Sequence, residues 1–114
     1  MTEPAVRGDV WMVALDPVRG REQGGRRPAL VVSSDRMNQG GTGLAVVVPF
    51  TSVDKQVRAH VPVDPPEGGL ERRSFAKPED VRSITTLRFG RRLGRVSPQT
   101  MEDVETVLRH LLDL

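Results

Sequence analysis

The chain has 114 residues, no cysteine, two histidines and a formal net charge of +2. That length suits one domain with a single core, while the missing cysteines exclude disulfides and thiolate metal sites, and the wide separation of His60 and His110 argues against a histidine-built metal site. No apolar run approaches the roughly 20 residues of a membrane span, and Met1-Thr2-Glu3-Pro4 does not read as a signal peptide, so a cytoplasmic protein that makes no use of a membrane is expected.

Met1 to Val6 is expected to be a flexible N-terminus before a single domain spanning 7–114. Val10 to Leu15 alternates Val10/Met12/Ala14 with Trp11/Val13/Leu15, and because both faces are largely apolar the segment predicts a strand covered on two sides. A second strand is predicted at Ala29 to Ser33. Asp35 to Gly41 reads as a turn or one helical turn, and a third strand follows at Gly43 to Phe50. Val57, Ala59, Val61 and Val63 alternate with Arg58, His60 and Pro62, which predicts a fourth strand at Val57 to Val63, with Pro62 confining it to an edge. After the Pro65-Pro66-Glu67-Gly68-Gly69 turn, Ser74 to Ile84 offers one or two short strands interrupted near Pro78. A short helical turn over Thr85 to Gly90 and a last strand at Arg92 to Val96 complete the β part. Ser97-Pro98 then supplies an N-cap and a first-turn proline, with Met101, Val104, Leu108 and Leu111 at helical spacing. Short strands about ten residues apart, closed by one helix, predict a mainly β fold: a small antiparallel barrel or strongly bent sheet. Trp11 reads as core rather than as a platform for stacked bases.

Charge is distributed unevenly. Residues 1–96 hold 16 Lys/Arg against 11 Asp/Glu, whereas residues 97–114 hold 1 against 4, so a basic body carries an acidic tail. Fifteen of the seventeen cations are arginine, the side chain that grips phosphate bidentately, although a GC-rich gene would produce the same count. Position therefore matters more than number. Gly20-Arg21-Glu22-Gln23-Gly24-Gly25-Arg26-Arg27-Pro28 is a glycine-rich charged loop, and Pro28 drives Arg27 toward an extended conformation at the head of an apolar strand. If the second and third strands pair as a meander, Arg27 comes close to Thr51 in Pro49-Phe50-Thr51-Ser52. A guanidinium and a hydroxyl at one strand edge suit a phosphodiester, the first neutralising charge on the non-bridging oxygens and the second orienting the phosphate. The plain alternative is an ion pair of Arg27 with Glu22 or Asp16. A second constellation is Lys77-Pro78-Glu79-Asp80-Val81-Arg82, where strand alternation would put Lys77 and Glu79 on one face and Asp80 and Arg82 on the other. Glu79 could serve as a general base and Lys77 as an acid or phosphate ligand; equally, the segment could be a charge-paired edge that discourages aggregation. His60 and His110 read as structural or surface groups.

Arg7-Gly8-Asp9-Val10-Trp11, Leu15-Asp16-Pro17, Gly20-Arg21-Glu22-Gln23, Arg27-Pro28-Ala29-Leu30-Val31-Val32, Val48-Pro49-Phe50-Thr51-Ser52 and Val81-Arg82-Ser83-Ile84 form an ordered set along nearly the whole chain. In that order and spacing they resemble the MazF/PemK (Kid) family of toxin endoribonucleases. The resemblance implies an SH3-like barrel with a C-terminal helix, a homodimer whose groove takes single-stranded RNA, and a cognate antitoxin whose acidic, partly disordered segment covers that groove. It implies cleavage without metal or other cofactor, by attack of a ribose 2′-hydroxyl that leaves a 2′,3′-cyclic phosphate and a 5′-hydroxyl. Carried over residue by residue, Arg27 stabilises the transition state and Thr51 positions the phosphate, with Glu79 and Lys77 as candidate base and acid. Arg21, Glu22, Gln23, Arg26, Ser52 and Arg82 are the expected RNA contacts. In the Kid-like branch a histidine stands where this chain has Arg21, and an arginine and an aspartate where it has Lys77 and Glu79. The competing readings are a CcdB-like, non-catalytic toxin that binds DNA gyrase, and a relative that binds RNA without cutting it.

Overall fold

The computed structural model describes residues 4–16, 20–22 and 24–114. Seven strands, β1 (Asp9–Ala14), β2 (Arg26–Val31), β3 (Leu44–Thr51), β4 (Val61–Val63), β5 (Ser74–Ala76), β6 (Arg82–Thr85) and β7 (Phe89–Arg95), are accompanied by a one-turn helix α1 (Asp35–Asn38) and a terminal helix α2 (Pro98–Leu112). All pairings are antiparallel, in the order β4-β5-β3-β2-β1-β7, with β6 also paired to β3. The mainly β, barrel-like fold with a C-terminal helix is thus present as a curled half-barrel.

β3 is the spine of this sheet. Its Leu44–Val47 half pairs with β6 and its Phe50–Thr51 end pairs with β5, while β2 takes the opposite edge. The curl has a visible source in the β1–β7 ladder, whose register shifts between Val10 and Trp11 and again between Trp11 and Val13; such irregularities increase local twist.

Alternation along the strands divides the core in two. Val10, Leu30, Val48 and Phe50 pack with Val104 of α2, and Met101, Val107 and Leu108 extend the helix side of that contact. Trp11, Val13, Ala29, Val31, Val47 and Ile84 form the other cluster, where the Trp11 and Phe89 rings lie 5.5 Å apart at 56°. Trp11 is accordingly a core residue. Leu111, expected on the helix's apolar stripe, is 46% exposed, so the stripe ends before the last turn. At the other end of the chain Ala5, within the segment expected to be flexible, is buried in the second cluster, and the Val6 amide donates to Asp9 Oδ2 at 3.2 Å.

Helix α2 starts where the sequence predicts. The Ser97 hydroxyl accepts the Thr100 amide at 3.2 Å and Pro98 occupies the first turn. A more distant group reinforces the start: Glu67 Oε2 accepts the Ser97 amide at 3.0 Å and the Thr100 hydroxyl at 2.5 Å. Burial disfavours the Glu67 charge, but the hydrogen bonds from Thr100 and Ser97 outweigh it and hold this carboxyl below the ordinary glutamate pKa.

Two predicted segments differ in ways that bear on the site. β2 begins at Arg26 rather than Ala29, which draws Arg27 and Pro28 into the ladder opposite Val13 and Met12. The fourth strand is confined to Val61–Val63, because the chain turns before it and the His60 amide donates to Val57 O at 3.0 Å.

Candidate active site

The β2–β3 register pairs Ala29 with Pro49, so continuing it by two residues sets Arg27 across from Thr51. β5 extends the row on the far side, pairing Phe75 with Thr51. Residues opposite one another on adjacent strands share a face of the sheet. Arg27 and Thr51 are therefore neighbours on one face, as the meander predicts, and both line a cleft of ≈ 230 Å³.

Each is held in place. Arg27 Nε donates to Gly24 O at 2.6 Å, which anchors the root of the guanidinium in its own loop. Thr51 is 3% exposed, and its Oγ1 accepts the Val53 amide at 3.2 Å, so the hydroxyl closes the turn that ends β3. Arg26 and Ser52, both exposed, line the same cleft, and Arg72 and Arg91 add cations that the sequence did not single out. Together these form an arginine-rich wall, which a polyanion would neutralise. Of the two acids considered as partners for Arg27, Glu22 lies 3.4 Å from Arg82 and Asp16 accepts the Gly25 amide at 3.0 Å.

Lys77, Glu79, Arg21 and Glu22 line a second cleft, of ≈ 470 Å³. The Lys77 amide donates to Pro49 O at 2.9 Å, continuing the β5–β3 ladder, and strand alternation gives Lys77 the same face as Phe75 and hence as Thr51. The lysine is 5% exposed. Immediately after it the strand stops: Pro78–Asp80 form a 3₁₀ turn, and the Asp80 amide returns to Lys77 O at 2.9 Å. The predicted alternation of Lys77 and Glu79 against Asp80 and Arg82 therefore does not apply. Lys77, Glu79 and Asp80 line one cleft, and Arg82 joins it through Glu22. Gln23 lies outside the described residues.

The largest revision concerns His60. Read from the sequence it lay on the outer face of a strand, but the Val57–His60 turn brings it inward, where it is 8% exposed. Its Nε2 is 2.6 Å from Glu79 Oε2. The pairing spans nineteen positions, and nothing local to His60 in the sequence announces it. His110, in the last turns of α2, is exposed as expected. Among the described residues no group of three or more His, Asp or Glu is arranged to hold a metal ion, and no helix is long and apolar enough to cross a membrane.

A curled antiparallel sheet with one C-terminal helix, an arginine-walled cleft at the strand ends and a His–Glu–Lys cluster beside it define a small β protein built to handle an anionic substrate. Residues 6–112 match the PemK-like, MazF-like toxins of type II toxin–antitoxin systems, and the chain belongs to that family. It is 41% identical to endoribonuclease MazF9 of Mycobacterium tuberculosis over 113 residues, covering 95% of this chain and 96% of the relative. The crystal structure of MazF (Form-I) from Deinococcus radiodurans superposes with a TM-score of 0.89 at 29% identity, covering 99% of this chain and all of that one. A MazE–MazF crystal structure (Form-II) from the same organism gives 0.81 at 30% identity, with 99% of each chain covered.

Proposed function

We infer that this protein is the toxin of a type II toxin–antitoxin pair and acts as an endoribonuclease, cutting single-stranded RNA at a short sequence without a metal ion. The observation that carries the reading is the strand-end row of Arg27 and Thr51, set beside an arginine-lined cleft and on the same face as Lys77. The relative named an endoribonuclease, 41% identical over nearly its full length, supports the substrate class. A ribose 2′-oxygen bonds to the adjacent phosphorus while its proton passes to Glu79, the P–O5′ bond breaks, and the departing 5′-oxygen is protonated by Lys77 or by water. Arg27 neutralises the charge that gathers on the non-bridging oxygens, and Thr51 fixes the phosphate at the edge of the sheet. The products are a 2′,3′-cyclic phosphate and a 5′-hydroxyl. Arg21, Glu22, Gln23, Arg26, Ser52 and Arg82 contact the RNA on either side.

The partners follow from the same reading. MazF of Deinococcus radiodurans has been crystallised with MazE, and a basic body suits an acidic antitoxin segment laid over the RNA clefts. The protein is expected to work as a homodimer, for which the exposed apolar surface at Leu44 and Leu87 leaves material for a contact; light scattering of the purified protein reads its mass directly. The gyrase-binding alternative is not favoured, because the matched family is PemK/MazF.

The test is incubation of purified protein with a defined single-stranded RNA in EDTA, followed by analysis of fragment ends. Cleavage should survive chelation and leave cyclic phosphates. RNA that stays intact under every buffer condition sinks the nuclease reading, and RNA bound but uncut supports the non-catalytic relative.

A further inference from the structure

From the His60–Glu79 contact we propose that His60 is the positioning residue of the site: it holds the Glu79 carboxylate in the orientation that accepts the 2′-hydroxyl proton. This rests on the assignment of Glu79 as base. The ring is enclosed and the carboxylate is not, their side chains being 3% and 41% exposed. A largely enclosed ring in the wall of the second cleft therefore grips an open carboxylate.

The hydrogen-bond chemistry fixes the direction of the grip. An ionised carboxylate only accepts, so Nε2 must carry the proton across the 2.6 Å contact. Nδ1 is buried with no hydrogen-bond partner among the described residues. A second proton there would be an N–H enclosed without an acceptor, which folded proteins avoid. The Nε2–H tautomer is left, a fixed donor to Glu79 Oε2. That bond engages one carboxylate oxygen and leaves Oε1 for the substrate, in the cleft that Glu79 shares with Arg21 and Lys77. The backbone supports the arrangement from both ends, since His60 is fixed by the turn from Val57 and Glu79 by the 3₁₀ turn that starts at Pro78. During turnover the proton of the 2′-hydroxyl moves to Glu79, while the Nε2 proton stays on His60. A carboxylate on a long, mobile side chain gains from such a clamp, because proton transfer requires hydrogen-bond reach in one geometry.

The experiment compares His60→Phe, which keeps a ring in the buried space without a donor, with His60→Gln, whose amide N–H can stand where Nε2 stood. Both are assayed on a short RNA, alone and combined with Glu79→Gln, with thermal melts to confirm folding. His60→Phe should lower kcat at least about tenfold with KM within about twofold, His60→Gln should recover most of the loss, and His60→Phe should cost nothing further in the Glu79→Gln background. Nitrogen-15 spectra of the imidazole should show Nε2 protonated, with its signal displaced by Glu79→Gln. Folded His60→Phe protein with unchanged kcat, equal losses in the Phe and Gln variants, additive effects with Glu79→Gln, or an Nδ1–H tautomer would each overturn the role. Wild-type protein that leaves RNA uncut overturns the nuclease reading and this role together, whereas a cleaving enzyme indifferent to His60 overturns the role alone.

Discussion

The two clefts are built differently. Arg27 and Thr51 lie opposite one another where the β2–β3 register is continued by two residues, each on a strand whose ladder sets its place, whereas Glu79 and His60 sit on two separate turns and meet through a side-chain contact of 2.6 Å. The ladder pair is held by the fold as a whole; the turn pair depends on each partner finding the other. Groups that stabilise charge need a fixed frame, and strands provide one. A group that moves a proton must reach its substrate, which a turn allows at the cost of needing a clamp.

That contrast can be broken at its strongest point first. Arg27→Ala should lower kcat/KM for RNA about 1000-fold, as loss of an aimed electrostatic donor does, with little change in melting temperature; near-normal cleavage by this variant would remove the ladder pair from the mechanism. Glu79→Gln should follow at about 100-fold, mostly in kcat, since the amide keeps the contact to His60 within reach but accepts no proton from substrate. If its rate is unchanged, the base lies elsewhere. Thr51→Val preserves the branched shape and deletes the hydroxyl, and should cost about tenfold in rate together with about 1 kcal/mol of stability from the unsatisfied Val53 amide. An active but less stable variant would confine Thr51 to ending its strand.

The smallest effect is predicted outside both clefts. Glu67→Gln should leave cleavage intact and destabilise the fold by about 1–2 kcal/mol at neutral pH, through weaker bonds to Ser97 and Thr100. Because the folded-state pKa of Glu67 is lowered, its stabilising contribution is complete above the ordinary glutamate pKa of about 4.3 and disappears as pH falls through the folded value. Melts of the two proteins should accordingly differ at pH 7 and converge in acid. A gap that persists unchanged at the acid end would contradict the assignment.

What the sequence reveals divides along the same boundary. Apolar runs and alternation located the first three strands approximately, although the last strand starts at Phe89, inside the predicted helical turn. The meander of β2 and β3 was enough to bring Arg27 to Thr51, because antiparallel neighbours joined by a modest connection leave little freedom of register. Ser97-Pro98 located the helix start for equally local reasons. The turns were less readable. Lys77 and Glu79 were assigned a shared face by strand alternation, yet Pro78 opens a 3₁₀ turn and the residues share a cleft for a different reason. Val57, Ala59, Val61 and Val63 kept the strand rhythm through a segment where only the last three residues, 61–63, are strand, and this hid the turn that buries His60. A histidine beside an apolar alternation gives no hint of a carboxylate nineteen positions on.

The double pairing of β3, with β5 at one end and β6 at the other, has an implication for how such a chain tolerates change. One residue inserted within Val46–Phe50 would invert every side chain beyond it, carrying Thr51 to the opposite face and losing its match with Arg27 and Phe75 in a single step. The same insertion in the exposed 53–56 stretch, ahead of the Val57–His60 turn, would alter the length of a loop at the mouth of the second cleft. Sequence drift in this architecture is therefore channelled: the Arg27–Thr51 row behaves as a fixed address, and the surrounding loops are free to vary around it.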